Sequence, residues 1–163
     1  MQGRPRFLDA SIFINWLKTD PKRALHDETA LISGYALQKI ELGEPAITIP
    51  PVKDEVCIWL SRYRAASLQK FLELLTGYTS LEIINPTLDD QTIAANMFGK
   101  YRLGFVDLMS LSVMKRLGLT EICSSDTGFD SVTEVKRIFS QLKDEEGFKE
   151  FLALITKRTR RFQ

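Results

Sequence analysis

Short β-type runs alternate with helical segments along the chain, and this alternation is the strongest indication of its fold. Such alternation is typical of α/β domains whose sheet is mainly parallel. We therefore predict an α/β fold with a five-stranded, mainly parallel sheet. The expected strands are Arg6 to Ala10, Ala46 to Ile49, Leu81 to Ile84, Glu121 to Ser124 and Val135 to Ile138.

Helices are predicted wherever apolar residues recur at three- and four-residue spacing between these runs. Thr87 is expected to cap one of them, because an acid follows three residues later at Asp90. Gly118 is a natural end for another. The predicted helices are Ser11 to Lys18, Lys22 to Leu42, Val52 to Ser61, Ala65 to Tyr78, Thr87 to Tyr101, Phe105 to Leu117 and Lys143 to Arg161.

The chain has 163 residues, of which 44% are hydrophobic. This length suffices for one core but not for two comfortable domains. We expect residues 1–140 to form the main body, with the amphipathic helix and basic tail of residues 141–163 belonging to the same domain. Lys and Arg total 22 against 21 Asp and Glu, giving a formal charge of +1. No overall field therefore favours nucleic acid or a membrane surface.

The sequence predicts a cytoplasmic protein without a membrane partner. The residues after Met1 lack the apolar run of a signal peptide, and no stretch approaches the ~20 apolar residues of a membrane helix. Cys57 and Cys123 are far apart and fit reduced thiols. With His26 as the single histidine, any bound ion is expected to have oxygen ligands.

Two acids stand just after strand-like runs, where parallel sheets place their ligands. Asp9 ends the first run, and Asp126 follows the fourth after two serines. Two more acids interrupt helical apolar stripes: Glu55, with Val56 and other apolar residues, and Asp107. Both of these side chains are therefore predicted to point inward, which is costly for a carboxylate without a partner.

If these four carboxylates converge within about 5 Å, each charged pair repels by roughly 3 kcal/mol at an effective dielectric near 20. Protons or a divalent cation must then neutralise the cluster. Hard oxygen ligands favour Mg²⁺ or Mn²⁺ over zinc. Such ions serve phosphodiester hydrolysis, so the acids point to a nuclease.

Four segments, in order, resemble the acidic elements of PIN domains, and the resemblance spans roughly Arg6 to Ile138. A small hydroxyl residue, Ser124, stands two positions before the fourth acid, where the family often has threonine. The matching segments are Phe7-Leu8-Asp9-Ala10-Ser11-Ile12-Phe13-Ile14, Pro50-Pro51-Val52-Lys53-Asp54-Glu55-Val56, Tyr101-Arg102-Leu103-Gly104-Phe105-Val106-Asp107-Leu108 and Ile122-Cys123-Ser124-Ser125-Asp126-Thr127-Gly128-Phe129-Asp130.

The resemblance implies a three-layer α/β/α fold and a ribonuclease that hydrolyses RNA phosphodiester bonds with Mg²⁺ or Mn²⁺. Ser11 and Ser124 would orient carboxylates or water. PIN-domain relatives include toxins of toxin–antitoxin pairs, so an antitoxin partner is expected by analogy alone. The resemblance also implies the metal ligands, which are Asp9, Glu55, Asp107 and Asp126, with Asp130 assisting.

Simpler roles compete with these assignments. Asp9 can serve as a helix N-cap and Glu55 can favour its helix N-terminus, with Asp54 beside it as an alternative ligand. Asp126 and Asp130 can form turns. The basic run from Lys157 to Arg161 is either a solvated tail or a phosphate contact, and the last helix either caps the core or joins a homodimer.

Other functions compete as well. A receiver domain or an aspartate-based phosphatase is less compatible with the sequence, because Asp9 is followed by Ala10 and Ser11 instead of a second acid. An RNA-processing nuclease without an antitoxin is one alternative. A non-catalytic module that binds RNA or protein is another, although such a module has little reason to retain four acids that repel one another.

Overall fold

The computed structural model describes residues 3–161 and contains one five-stranded sheet in the order β3-β2-β1-β4-β5. All four neighbouring strand pairs are parallel. The sheet prediction is therefore confirmed. The strands are β1 (Arg6–Leu8), β2 (Ala46–Thr48), β3 (Leu81–Ile83), β4 (Glu121–Cys123) and β5 (Lys136–Ile138).

Helices cover both faces of the sheet, as parallel strands with right-handed crossovers require. The three-layer α/β/α prediction is thus confirmed. The helices are α1 (Ala10–Leu17), α2 (Pro21–Ala24), α3 (Glu28–Glu41), α4 (Pro50–Tyr63), α5 (Leu68–Gly77), α6 (Leu88–Met97), α7 (Phe105–Leu117) and α8 (Glu146–Arg160). Gly118 ends α7 in the left-handed conformation at φ 66°, as its position predicted.

Four helix boundaries differ from the prediction. The single helix expected from Lys22 to Leu42 is two helices, because the Asp27 carboxylate accepts a hydrogen bond from the Ala30 N–H and starts α3 anew. Helix α6 stops at Met97, since Phe98 is extended and Gly99 has a φ of 85°. Separate 3₁₀ turns, at Ala65–Ser67 and Ser140–Asp144, precede α5 and α8 where continuous helices were expected.

The core lies between the sheet and the helices. Helices α1 and α3 approach closely at Gly34, where an added Cβ would collide with the Trp16 ring. Helix α8 packs its aromatic face onto α1 and α3, with Phe151 against Trp16 and Tyr35. The predicted unity of residues 141–163 with the main body stays a prediction, since Phe162 and Gln163 lie outside the described residues. Within residues 3–161, no helix is both long enough and apolar enough to cross a membrane.

The direction in which successive strands are added to the sheet reverses between β1 and β4, since one connection leads from β1 to β2 and another leads from β4 to β5, toward the opposite edge. In open parallel sheets, ligands bind outside the carboxyl ends of strands at such a switch point. Asp9 follows β1 there, and the turn with Ser124 and Asp126 follows β4. The topology thus brings the first and last acidic segments side by side.

Candidate active site

Asp9 is the buried centre of this edge of the sheet. Its Oδ2 accepts hydrogen bonds from the hydroxyls of Ser11 and Ser124, both at 2.7 Å. Its backbone N–H also donates to the Cys123 carbonyl, which joins the ends of β1 and β4. Ser11 and Ser124 thus orient the Asp9 carboxylate from two parts of the chain.

The two serine hydroxyls are themselves fixed by the turn after β4. The Ser125 N–H donates to Ser11 Oγ and the Asp126 N–H donates to Ser124 Oγ, each at 3.0 Å. The two hydroxyl oxygens lie 3.2 Å apart, but the Asp9 carboxylate can only accept and is nearer to both, so both hydroxyls donate to Asp9. The turn after β4 therefore sets the direction of the Asp9 carboxylate.

The other carboxylate oxygen of Asp9 remains available. Within residues 3–161, Oδ1 accepts no hydrogen bond, and every fully buried side-chain nitrogen or oxygen has a partner. Oδ1 must therefore keep contact with solvent. One oxygen of Asp9 is held by the protein and the other is open to a ligand.

Asp107 lies half-buried in the first turn of α7, and its Oδ2 accepts a 2.9 Å hydrogen bond from the Gly104 N–H. Burial and the charge of Asp9 raise the pKa of Asp107 to about 7, although the Gly104 hydrogen bond opposes the shift. The charges of Glu55 and Asp126 add to the rise. The pKa of Asp107 therefore responds to the charges of all three other predicted site acids.

Glu55 on α4 corrects one prediction, because its side chain is exposed instead of pointing into the core. Its helix presents Val52 and Val56 to the core, and Glu55 lies at the border of that face. Partial burial and the charge of Asp9 nonetheless raise the pKa of Glu55. The neighbouring Asp54 lies 2.8 Å from the ammonium of Lys53, whereas Glu55 is the acid whose pKa responds to the charge of Asp9.

Asp126 and Asp130 have different surroundings, although both are exposed. Asp126 caps the turn after β4, since its Oδ1 accepts a 2.8 Å hydrogen bond from the Gly128 N–H. Asp130 accepts two hydrogen bonds from Arg137, at 2.8 and 2.9 Å, which lower its pKa. The assisting metal role expected of Asp130 stays a prediction, and it would require the carboxylate to leave Arg137.

The charges of these carboxylates influence one another, but their side chains do not form a close cluster. Within the described part of the chain, no three acidic, histidine or cysteine side chains are close enough to form a ready-made metal site. The donors at hand are carboxylate oxygens, with Asp9 Oδ1 open, and their chemistry fits a hard divalent ion.

Two polar residues of this region escaped the sequence analysis. Asn15 donates a 2.8 Å hydrogen bond to Ser125 Oγ and so ties α1 to the turn after β4. Arg137 donates to the Ser124 carbonyl at 3.3 Å as well as to Asp130. A signal existed for Asn15 alone, because it follows Ser11 by one helical turn on the face that packs inward.

The family model for the PIN domain matches residues 6–135, which is most of the chain. The chain belongs to the PIN-domain family. The match begins with β1 and includes Asp9, Glu55, Asp107, Asp126 and Asp130. Among curated proteins, no sequence matches this chain.

Solved PIN-fold structures are similar in architecture at low sequence identity. The VapC20 toxin of Mycobacterium tuberculosis, described as cleaving the sarcin–ricin loop, has a TM-score of 0.60 and 17% identity over 82% of this chain and 98% of its own. A toxin–antitoxin complex from Klebsiella pneumoniae gives 0.57 and 19%, covering 80% and 95% of the two chains. VapBC2 from Rickettsia felis, bound to a promoter DNA fragment, gives 0.57 and 13%, covering 84% and 100%.

Proposed function

We propose that this PIN-domain protein is a metal-dependent endoribonuclease that hydrolyses RNA phosphodiester bonds. The observation that carries the proposal is the Asp9 carboxylate, which Ser11 and Ser124 orient at the carboxyl edge of the sheet with Oδ1 left free. The other three acids come from α7, α4 and the turn after β4, and burial together with the charges of Asp9, Glu55 and Asp126 raises the pKa of Asp107 in support. Such mutual repulsion costs stability, and a bound divalent cation offsets that cost.

In this proposal Asp9, Glu55, Asp107 and Asp126 hold Mg²⁺ or Mn²⁺. When bound, the ion would activate water, polarise the phosphate and stabilise the leaving oxygen. Asp9 is oriented by two serine hydroxyls and keeps Oδ1 for ligation. In the metal-free protein the pKa of Asp107 is raised to about 7, so binding of the ion near neutral pH would release its proton.

We further propose that the protein acts as the toxin of a toxin–antitoxin pair in the cytoplasm, with an antitoxin protein as its partner. The support is the description of all three structural neighbours as toxins or toxin–antitoxin assemblies. Expression of the protein alone should arrest growth, and co-expression of an antitoxin encoded beside it should restore growth. Normal growth on expression of active nuclease would instead favour RNA processing.

The nuclease proposal is tested with labelled single-stranded RNA and the purified protein in Mg²⁺, in Mn²⁺ or in EDTA. We expect cleavage with either metal and none in EDTA. Asp9→Asn and Asp107→Asn should each lower the rate by at least about a hundredfold, because each removes a charge that the ion requires.

Asp144→Asn is the matched control for these variants. Asp144 is an exposed acid next to Glu145, which binds Lys39 away from the cluster. Its rate should equal that of the wild type. Cleavage that persists in EDTA, or an Asp107→Asn enzyme as active as the Asp144→Asn control, would contradict the proposal.

A further inference from the structure

A cavity of about 650 Å³ lies directly beside the acidic cluster and shares Asp126 with it. Its volume falls within the roughly 300–1,000 Å³ of ligand sites. One wall is the segment that joins α6 to α7, and the other is the turn after β4. The lining residues include Lys100, Tyr101, Arg102, Asp126 and Gly128.

The α6–α7 segment, Phe98 to Phe105, has two cations, Lys100 and Arg102, and no acid. Both side chains are exposed, and within residues 3–161 no carboxylate lies within ion-pair distance of either one. A cavity of about 890 Å³ contains Arg6 and Lys39, which are paired with glutamates, and also Arg4, but it lies at the amino ends of the strands, at the opposite edge of the sheet from the acidic cluster. The cations beside Asp126 therefore remain available to an anion.

Aromatic rings alternate with these cations. Tyr101 stands between Lys100 and Arg102, and the Lys100 ammonium lies 5.6 Å from the centre of its ring. Phe98, at the start of the segment, is 67% exposed. Cations that hold phosphates, with rings on which bases stack, are how proteins bind single-stranded nucleic acid.

Gly128 lies where the two walls of the cavity meet, and its lack of a side chain lets them approach closely. An added Cβ would lie 2.7 Å from the Arg102 carbonyl oxygen and 3.1 Å from Asp126 Oδ1. The α6–α7 segment therefore rests directly on the turn that presents Asp126. The fold thereby fixes the two cations relative to the acidic cluster.

We propose that this cavity binds the nucleotide next to the scissile phosphate of a single-stranded RNA. Lys100 and Arg102 contact the phosphate of that nucleotide, and its base stacks on Tyr101. This inference rests on the proposed function, which identifies the ligand as RNA. It adds the place where the strand runs and the side chains that hold it.

The decisive experiment measures binding of a fluorescently labelled single-stranded RNA of mixed sequence by anisotropy, in EDTA, at several salt concentrations. Lys100→Gln/Arg102→Gln should weaken binding by roughly tenfold or more at low salt, and the slope of log K against log salt should fall by about 0.7, because both cations contact the same phosphate. Tyr101→Leu should weaken binding with little change in that slope, since stacking carries no charge.

Lys115→Gln/Lys136→Gln is the matched control, because it removes the same charge from the end of α7 and the start of β5, at the opposite edge of the sheet. We expect this control to bind RNA as the wild type does. Equal losses in both double variants, unchanged binding in Lys100→Gln/Arg102→Gln, or a wild type that binds no RNA would each overturn the inference. In a further outcome, the wild type binds RNA without ever cleaving it, while Lys100→Gln/Arg102→Gln loses that binding. This result would overturn the nuclease proposal alone.

Discussion

The hydroxyl of Ser124 donates a 2.7 Å hydrogen bond to Oδ2 of Asp9, across 115 residues of sequence. Ser124 is completely buried, and its oxygen also accepts from the Asp126 N–H. One side chain therefore links two of the proposed metal ligands. Rotation of Asp9 would break this bond, so Ser124 keeps Oδ1 free for the proposed metal ion.

Ser124→Ala should lower metal affinity and the rate of RNA cleavage by roughly 10–100-fold, because hydrogen bonds that orient a ligand contribute that much. Ser124→Thr keeps the hydroxyl and should retain most of both. Metal affinity is measured from the increase in melting temperature on titration with Mn²⁺. An alanine variant that binds Mn²⁺ as tightly as the threonine variant would show that the hydroxyl is not needed.

Asp107 gives the metal-free protein a distinct dependence on pH. Its pKa rises from 3.8 to about 7 on folding, so its ionised form is disfavoured in the folded state. Stability should therefore fall as pH rises from about 4 to about 7 and should change little above that range. Asp107→Asn abolishes this effect and keeps an oxygen that can accept from the Gly104 N–H.

The measurement is the free energy of unfolding in EDTA between pH 4 and pH 8. The advantage of Asp107→Asn over the wild type should grow with pH and reach on the order of 1–4 kcal/mol at pH 8. Adding Mn²⁺ at pH 8 should reverse the order, because the wild type alone gains the full set of ligands. An advantage that is constant with pH would contradict the assigned pKa.

Gly128→Ala should disturb both the stability and the activity of the protein. Its Cβ would meet the Arg102 carbonyl oxygen at 2.7 Å and a Leu103 methyl at 2.9 Å, so the turn must shift. Such overpacking costs about 1–3 kcal/mol, and cleavage should fall because Asp126 moves with the turn. Gly77→Ala is the control, since nothing lies within 4 Å of its Cβ. Equal stability of the two variants would show that the turn yields easily.

The sequence sufficed to predict the sheet and the edge of the sheet at which Asp9 and Asp126 lie. Asp9 and Asp126 follow strands that end at the same edge, and the parallel order brings those ends together. The inward direction predicted for Glu55 was wrong, because a helical stripe identifies a face but not where that face borders solvent. Glu55 lies at this border, close enough to Asp9 for its pKa to respond.

Partners distant in sequence explain most of what could not be predicted. The inward position of Asn15 can be predicted from its helical spacing to Ser11, but its partner Ser125 cannot, because the two are 110 residues apart. Asp130 and Arg137 are only seven residues apart, but they pair because the turn after β4 folds back toward β5. The break before α3 was missed for another reason: apolar periodicity continues across Asp27, and its hydrogen bond to Ala30 overrides that periodicity.

Asp90 and Arg116 form a charged pair that joins α6 to α7, away from the acidic cluster. Asp90 is 2% exposed and accepts hydrogen bonds from Arg116 Nη2 and from the Thr87 N–H, both at 2.8 Å. Burial acts to raise the pKa of Asp90, but the hydrogen bonds from Arg116 and Thr87 outweigh it and lower the pKa to about 2. The pair should therefore stabilise the protein above about pH 4, and this stability should be lost as pH falls through about 2.

Arg116→Met should lower the melting temperature by several degrees at pH 7, because it leaves a buried carboxylate without its cation. Asp90→Asn in the same background should recover part of the loss, since a neutral amide costs less to bury. Lys115→Met is the control, because Lys115 is the exposed neighbour of Arg116 on α7. The melting temperatures of Arg116→Met and Lys115→Met should approach each other near pH 2. A difference that persists there would mean that Arg116 stabilises α7 by packing and not through the charge of Asp90.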